Sequence, residues 1–197
     1  MKICNLTRDN GTYTSNVYLI TGTWNAIPDV NTLIDVGRDS AMLNYLRIAS
    51  TGVGKKRVAR VILTHSHYDH ASLMHEVKKE FDSEICAYSR SLEGLDKHLR
   101  DGERLLCGDR EFEVMHVPLH SEDSICLYNH EDHVLFAGDT PLVIRGADHS
   151  VPADFITFME RLAFLQPESI YFGHGEPILK NALKTIEHSL NVLLCHA

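Results

Sequence analysis

Within six consecutive residues, His65-Ser66-His67-Tyr68-Asp69-His70, the chain places three imidazoles and a carboxylate. Imidazole nitrogen and carboxylate oxygen together are the ligand set of Zn²⁺ and related divalent ions. The block directly follows Val58–Thr64, whose apolar and β-branched residues predict a buried strand. In extended backbone, residues two apart project the same way, so His65 and His67 share a direction. Asp69 and His70 fall where the chain turns into a helix predicted over Ala71–Phe81, and can point back into the same space. Three further residues match in kind: His120 after Val117-Pro118, Asp139 in Phe136-Ala137-Gly138-Asp139-Thr140, and His174 in Gly173-His174-Gly175. Each stands just past an apolar strand. Glycine neighbours at the last two let the backbone turn tightly. Ligands that arrive from several strand ends onto one sheet edge can build a metal site.

The elements that must position these residues follow from hydrophobic pattern. Lys2–Thr7, Val17–Thr21 and Thr32–Val36 read as strands, divided by Asp9-Asn10-Gly11 and by Gly22–Asn31. Asp39-Ser40 can cap a helix over Ala41–Ala49. Beyond the histidine block come a strand Glu84–Tyr88 and a helix Leu92–Leu99. Four strands joined by short turns follow, Arg104–Cys107, Glu111–Val117, Ile125–Asn129 and His133–Ala137. Asp154–Leu165 reads as a helix, Ile170–Phe172 as a short strand and Ile178–Leu194 as a closing helix. Helices alternating with strands, then a meander, then strand and helix again, predict an α/β chain with two sheets and helices outside them.

Composition removes several classes. The chain has 197 residues, 44% hydrophobic and 23% charged, which suits one soluble domain, residues 1–197. No apolar run approaches the ~20 residues that span a bilayer, and no signal peptide is expected at the N-terminus. Five widely spaced cysteines without a Cys-x-x-Cys pair are expected as reduced thiols in a cytoplasmic protein. With 19 basic against 27 acidic residues, the net charge of −8 and the single basic cluster Lys55-Lys56-Arg57 argue against a nucleic-acid partner.

The ordered set His65-x-His67-x-Asp69-His70, His120, Asp139 and His174, from Leu33-Ile34-Asp35-Val36-Gly37 to Gly173-His174-Gly175, resembles the metallo-β-lactamase superfamily. The resemblance implies an αββα four-layer sandwich, two mixed sheets with outer helices, and a dinuclear site at one edge. It implies that His65, His67 and His120 hold one metal, Asp69, His70 and His174 the other, and that Asp139 bridges them. Asp69, His120 and Asp139 become the catalytic candidates, and Asp35 a carboxylate that steadies ligand imidazoles. Among the branches, the pattern is most similar to glyoxalase II-like hydrolases, lactonases and related phosphodiesterases. It departs from them in Pro118-Leu119-His120-Ser121 and in Ala71-Ser72 after the Asp-His pair. Glyoxalase II carries a helical C-terminal domain for glutathione, whereas 197 − 174 = 23 residues follow His174 here, so strict glyoxalase II activity is not expected.

The expected function is that of a metal-dependent hydrolase acting on a small-molecule acyl substrate, an ester, thioester or lactone. Two divalent ions per chain, Zn²⁺ first with Fe or Mn as alternatives, would share an attacking hydroxide. An iron-dependent enzyme similar to persulfide dioxygenases, a phosphodiesterase, and a non-catalytic metal-binding module of the same fold remain as alternatives. Ser121 beside His120 offers a serine nucleophile, but no Gly-x-Ser-x-Gly elbow supports one. His116 is read as a filled strand position, His75 as pointing away from the site on its helix, and His98, His130, His133, His188 and His196 as solvated. Asp148-His149 and Arg145 lie in Pro141–Pro152, which with Gly22–Asn31 could edge the pocket. Arg145, Tyr68 and Trp24 are left open as substrate contacts.

Overall fold

The computed structural model describes residues 1–8, 12–146 and 152–195. The Asp9-Asn10-Gly11 turn, Asp148-His149 and His196 lie outside the described residues. The first sheet has six strands in the order β1 (Lys2–Asn5), β2 (Tyr18–Thr21), β3 (Thr32–Ile34), β4 (Arg60–Leu63), β5 (Glu84–Ala87) and β6 (Lys97–His98). β1–β2–β3 are antiparallel and β3–β4–β5–β6 parallel, so the sheet is mixed. The second sheet has five strands, β7 (Arg104–Cys107), β8 (Arg110–His116), β9 (Ile125–Asn129), β10 (Val134–Gly138) and β11 (Ser169–Phe172). It is an antiparallel meander closed by a parallel β10–β11 pair.

Side-chain alternation along each strand sorts the apolar residues into three clusters, and the layers follow. Tyr18, Ile20, Ile34 and Ile62 meet Phe112, Val114, Leu127 and Phe136 between the two sheets. The alternate residues Leu19, Leu33, Val61 and Ile85 face Met42, Leu46, Met74 and Val77 of α1 (Ala41–Ile48) and α3 (Met74–Phe81). On the far side, Met115, Cys126, Tyr128 and Leu135 pack on Phe155, Met159, Leu162 and Ile186 of α4 (Ala153–Leu165) and α5 (Ala182–Leu194). This is a four-layer αββα sandwich. With both faces covered, strands such as β9 and β10 are buried at every residue, which is why their sequences read as unbroken apolar runs.

Three element predictions are corrected. The helix predicted over Ala71–Phe81 is two pieces, α2 (Tyr68–Ala71) and α3. The His70 carbonyl accepts the Val36 and Gly37 amides, and the Leu73 amide donates to Gly37 O, so the helix ladder is interrupted there. The helix predicted over Leu92–Leu99 does not form. Gly94 takes φ +88°, the Asp96 carboxylate accepts from the Ile85 amide, and residues 97–98 add an edge strand beside β5. The last helix starts at Ala182, not Ile178, because Ile178 is extended against Ile170 and Asn181 takes φ +58°. Among the described residues, no helix is long and apolar enough to cross a membrane.

All five cysteines are free. Burial pushes the thiols of Cys86, Cys107 and Cys126 up to about 12, whereas Cys4 and Cys195 are exposed. At pH 8 a disulfide reagent should titrate two thiols in the folded protein and all five in denaturant. Rapid modification of a third thiol in the folded protein would contradict the buried placement.

Candidate metal centre

β3, β4 and β5 are parallel, so their C-terminal ends lie on one edge of the first sheet. Asp35 follows β3 and His65 to His70 follow β4. From the second sheet, His120 comes from the turn after β8, Asp139 directly follows β10 and His174 follows β11. The seven residues named from the sequence are thereby gathered on one sheet edge. They form three overlapping groups whose ligand atoms lie within 4.8 Å of one another: His65, His67 and His120; His65, His70 and Asp139; Asp69, His70 and His174.

The buried end of the cluster is held by a carboxylate. Asp35 is 2% exposed and takes φ +59°, a left-handed conformation that Asp tolerates better than most residues. Its Oδ1 accepts the Thr64 amide at 2.7 Å, and its Oδ2 accepts the Thr64 hydroxyl at 2.9 Å and His70 Nδ1–H at 2.8 Å. The Thr64 hydroxyl has one proton and gives it to Asp35, so it can only accept from His65 Nδ1, 3.1 Å away. That fixes neutral His65 with its proton on Nδ1 and leaves the Nε2 lone pair free. Burial and the neighbouring His70 keep His65 neutral by lowering its pKa to about 4. Burial opposes charge on His70 too, but the Asp35 and Asp139 carboxylates overrule it and hold its pKa at about 10. Asp139 is held at about 2; its burial opposes this, and the neighbouring imidazoles, His70 foremost, prevail.

The remaining nitrogens and oxygens converge. His120 Nε2 is 2.9 Å from His67 Nδ1, and His174 Nε2 is 3.0 Å from Asp69 Oδ2. Asp139 Oδ1 is 3.3 Å from His70 Nε2, while its Oδ2 is 3.6 Å from His120 Nε2 and 3.5 Å from His174 Nε2. Asp139 therefore touches both halves of the cluster. Close as these atoms are, His65 Nε2, His70 Nε2, Asp139 Oδ1 and His174 Nε2 are buried without a hydrogen-bond partner. Buried polar atoms are normally paired, because leaving one unpaired costs about 1–3 kcal/mol. Four orphaned donor atoms aimed into one space fit divalent cations, and the His/Asp set matches their preferences.

Residues that the motif does not contain complete the site. Asn16 clasps the chain around His174: its amide donates to Gly173 O at 2.7 Å and its Nδ2 to Phe172 O and Gly175 O, both at 2.9 Å. Tyr13 stacks on the His174 ring, centroids 5.1 Å apart and planes 12° apart. Neither carries a local signal in the sequence, because both act through contacts more than 150 residues away. Gly173 is required by space: a Cβ there would overlap Asp139 Oδ1 and come within 2.7 Å of His70 Cε1. Gly173→Ala should therefore leave a folded protein whose metal affinity has fallen at least about tenfold through a displaced Asp139 or His70. Titration with a chromophoric chelator would check this, and wild-type affinity would show that the glycine is dispensable.

Other sequence candidates fall outside the cluster. Ser121 Oγ donates to Asp123 Oδ1 at 2.7 Å and so faces no histidine base. His116 bonds the Glu122 carbonyl, His130 pairs with Glu113, and His75 and His188 are exposed. His98 and His133 contact Ser89 O and the Tyr128 hydroxyl respectively. The cleft of about 270 Å³ beside the cluster is lined by His120, Gly138, Asp139, Thr140, Phe172 and His174. Arg145 and Trp24 are exposed and absent from its wall, and Tyr68, 66% exposed, lies under the Arg38 guanidinium at 5.2 Å.

A family model described as Lactamase_B, metallo-beta-lactamase superfamily, matches residues 10–174. A hydroxyacylglutathione hydrolase of Rhizobium etli is 33% identical over 132 residues, covering 64% of this chain and 51% of that protein. The chain thus spans about half the length of the curated relatives it matches. Among solved structures, ETHE1 from Myxococcus xanthus superposes with a TM-score of 0.69 at 18% identity, covering 99% of this chain and 89% of its own. TTHA1623 in a di-iron-bound form gives 0.67 at 21% identity, covering 93% and 96%. Both likenesses bear on fold alone.

Proposed function

The chain belongs to the metallo-β-lactamase superfamily, and from that premise we propose that it is a dinuclear, zinc-dependent hydrolase of a small acyl thioester, ester or lactone. In this reading one domain spans residues 1–197 in a cytoplasmic protein. The observation that carries the proposal is Asp139, whose carboxylate lies within 3.6 Å of His70, His120 and His174 at once. His65, His67 and His120 would hold one ion, Asp69, His70 and His174 the second, and Asp139 both. Bound there, divalent ions supply Lewis acidity for a substrate oxygen and lower the pKa of water toward neutrality.

The chain's own residues set the conditions for that chemistry. Thr64 and Asp35 fix which nitrogens of His65 and His70 face the centre, so the imidazoles do not reorient as charge develops. The Asp139 carboxylate is ionised throughout the neutral range and offers one negative charge to both halves. Tyr13 and Asn16 keep the His174 turn in register with Asp69. No serine or cysteine nucleophile stands in the cluster among the described residues, which suits direct attack by water. An acyl thioester leads the substrate classes because the relative at 33% identity bears the name of an acylglutathione hydrolase. The net charge of −8 excludes a nucleic-acid substrate in this reading.

A substrate panel tests it. Measurable kcat/KM on thioesters or lactones, with no cleavage of RNA or DNA at low salt, is expected. Robust nuclease activity that fades with added salt would overturn the substrate class. Oxygen-dependent turnover of a persulfide by iron-loaded protein, without hydrolysis, would overturn the reaction type.

A further inference from the structure

One strand over from the metal cluster, the same sheet edge carries a second feature. Residues 88–91 leave the C-terminal end of β5, beside the His65 motif at the end of β4. Tyr88 there stacks on His116 at the end of β8, ring centroids 3.9 Å apart and planes 12° apart, which joins the two sheets. Around this pair lies a cavity of about 470 Å³, within the usual size of small-molecule sites. Ser66, between the ligand histidines His65 and His67, lines the end of it that adjoins the cluster, and Ser89, Arg90 and Ser91 line it from the β5 side. A second cavity of about 300 Å³ shares Tyr88 and Arg90 and adds Arg100. The two cavities adjoin at Tyr88 and Arg90, and the first alone reaches Ser66 beside the cluster; together they are called the groove.

Charge says what the groove accepts. Among the described residues, neither Arg90 nor Arg100 has an ion-pair partner within 4.0 Å. Of the neighbouring acids, Glu103 pairs with Lys97 at 2.6 Å and Asp101 accepts the His116 amide. Asp123, which lines the first cavity and not the second, accepts from Ser121 through Oδ1, and its Oδ2 is buried without a partner. Glu122, exposed, lines the first cavity as well. In the second cavity the two unpaired guanidiniums face a single carboxylate, that of Asp101, and in a chain of net charge −8 they form a local site for an oxyanion. The guanidinium fork matches carboxylate and phosphate alike.

We propose that this groove is the subsite for an anionic arm of the substrate, a carboxylate or phosphate held by Arg90 and Arg100, while the acyl carbon sits at the metal cluster beyond Ser66. The proposal rests on the reading of that cluster as the reacting centre, and it assigns specificity to loops that contribute no metal ligand.

Binding and kinetics on the metal-loaded protein separate the two claims. S-methylglutathione supplies carboxylates and adenosine 3′,5′-bisphosphate supplies phosphates, and neither presents a thiolate to a metal. One of them is expected to bind, with Kd raised at least fivefold by Arg90→Ala and by Arg100→Ala and partly restored by Arg90→Lys. Which probe binds identifies the anion. In turnover, each alanine variant should raise KM for an anionic thioester at least fivefold more than for the neutral N-acetylcysteamine thioester of the same acyl group. Metal content, measured alongside, checks that the cluster is intact. Binding of neither probe, or binding and KM that ignore both arginines, would overturn the subsite even if thioesters are hydrolysed. Arginine-dependent binding without any hydrolysis would uphold the subsite and overturn the hydrolase.

Discussion

Asp139→Ala is expected to strip metal from both halves of the cluster and to lower kcat/KM by at least about a thousandfold. Among the described residues, Asp139 is the one side chain whose oxygens approach ligand nitrogens of both groups, His70 and His174 on one side and His120 on the other. It is also the main negative charge facing His70 from the metal side, so its loss leaves several imidazoles converging without a counter-charge. His75→Ala, on an exposed turn of α3, serves as the control and should keep metal content near wild type. Elemental analysis of the dialysed variants decides the matter. Normal metal in Asp139→Ala would remove the bridging assignment.

The second large effect belongs to a residue that touches no ion. Asp35→Asn keeps the size of the side chain and its tolerance of φ +59°, so its consequence reports the charge. The amide cannot accept from the Thr64 amide, the Thr64 hydroxyl and His70 Nδ1–H together as the carboxylate does. One donor is left facing another in a fully buried place. We expect the metal-free protein to lose about 2 kcal/mol of stability, in line with one unsatisfied buried charged hydrogen bond. We also expect metal affinity to fall about 10–100-fold, because His70 is no longer held in one tautomer and orientation. Chemical denaturation of the metal-free protein gives the first figure and competition with a chelator the second. An unchanged affinity would mean that Asp35 supports the fold alone.

How much of this was legible in the sequence varied with the range of the interaction. The histidine block announces itself because its ligands are local: strand spacing aligns His65 with His67, and a single helical turn returns Asp69 and His70 to them. His120, Asp139 and His174 were found by their place after apolar strands, and the structure puts each at a strand end or the turn beyond it, on the same edge. The break in the helix after Ala71 was hidden, because the competing partners of its backbone, Val36 and Gly37, are more than thirty residues upstream. The absent helix over residues 92–99 had the same cause: its apolar positions face the core correctly, but Asp96 is claimed by β5. Tyr13, Asn16 and Thr64 were silent for that reason also. Each is an ordinary residue whose role comes from what the fold brings to it.

The most direct test is to titrate metal-free protein with zinc under anaerobic conditions and follow hydrolysis of an anionic acyl thioester. Activity should rise with added metal, reach a plateau at two equivalents per chain, and vanish on chelation. A plateau at one equivalent would contradict the dinuclear centre. Complete absence of hydrolysis at any zinc loading would contradict the hydrolase itself.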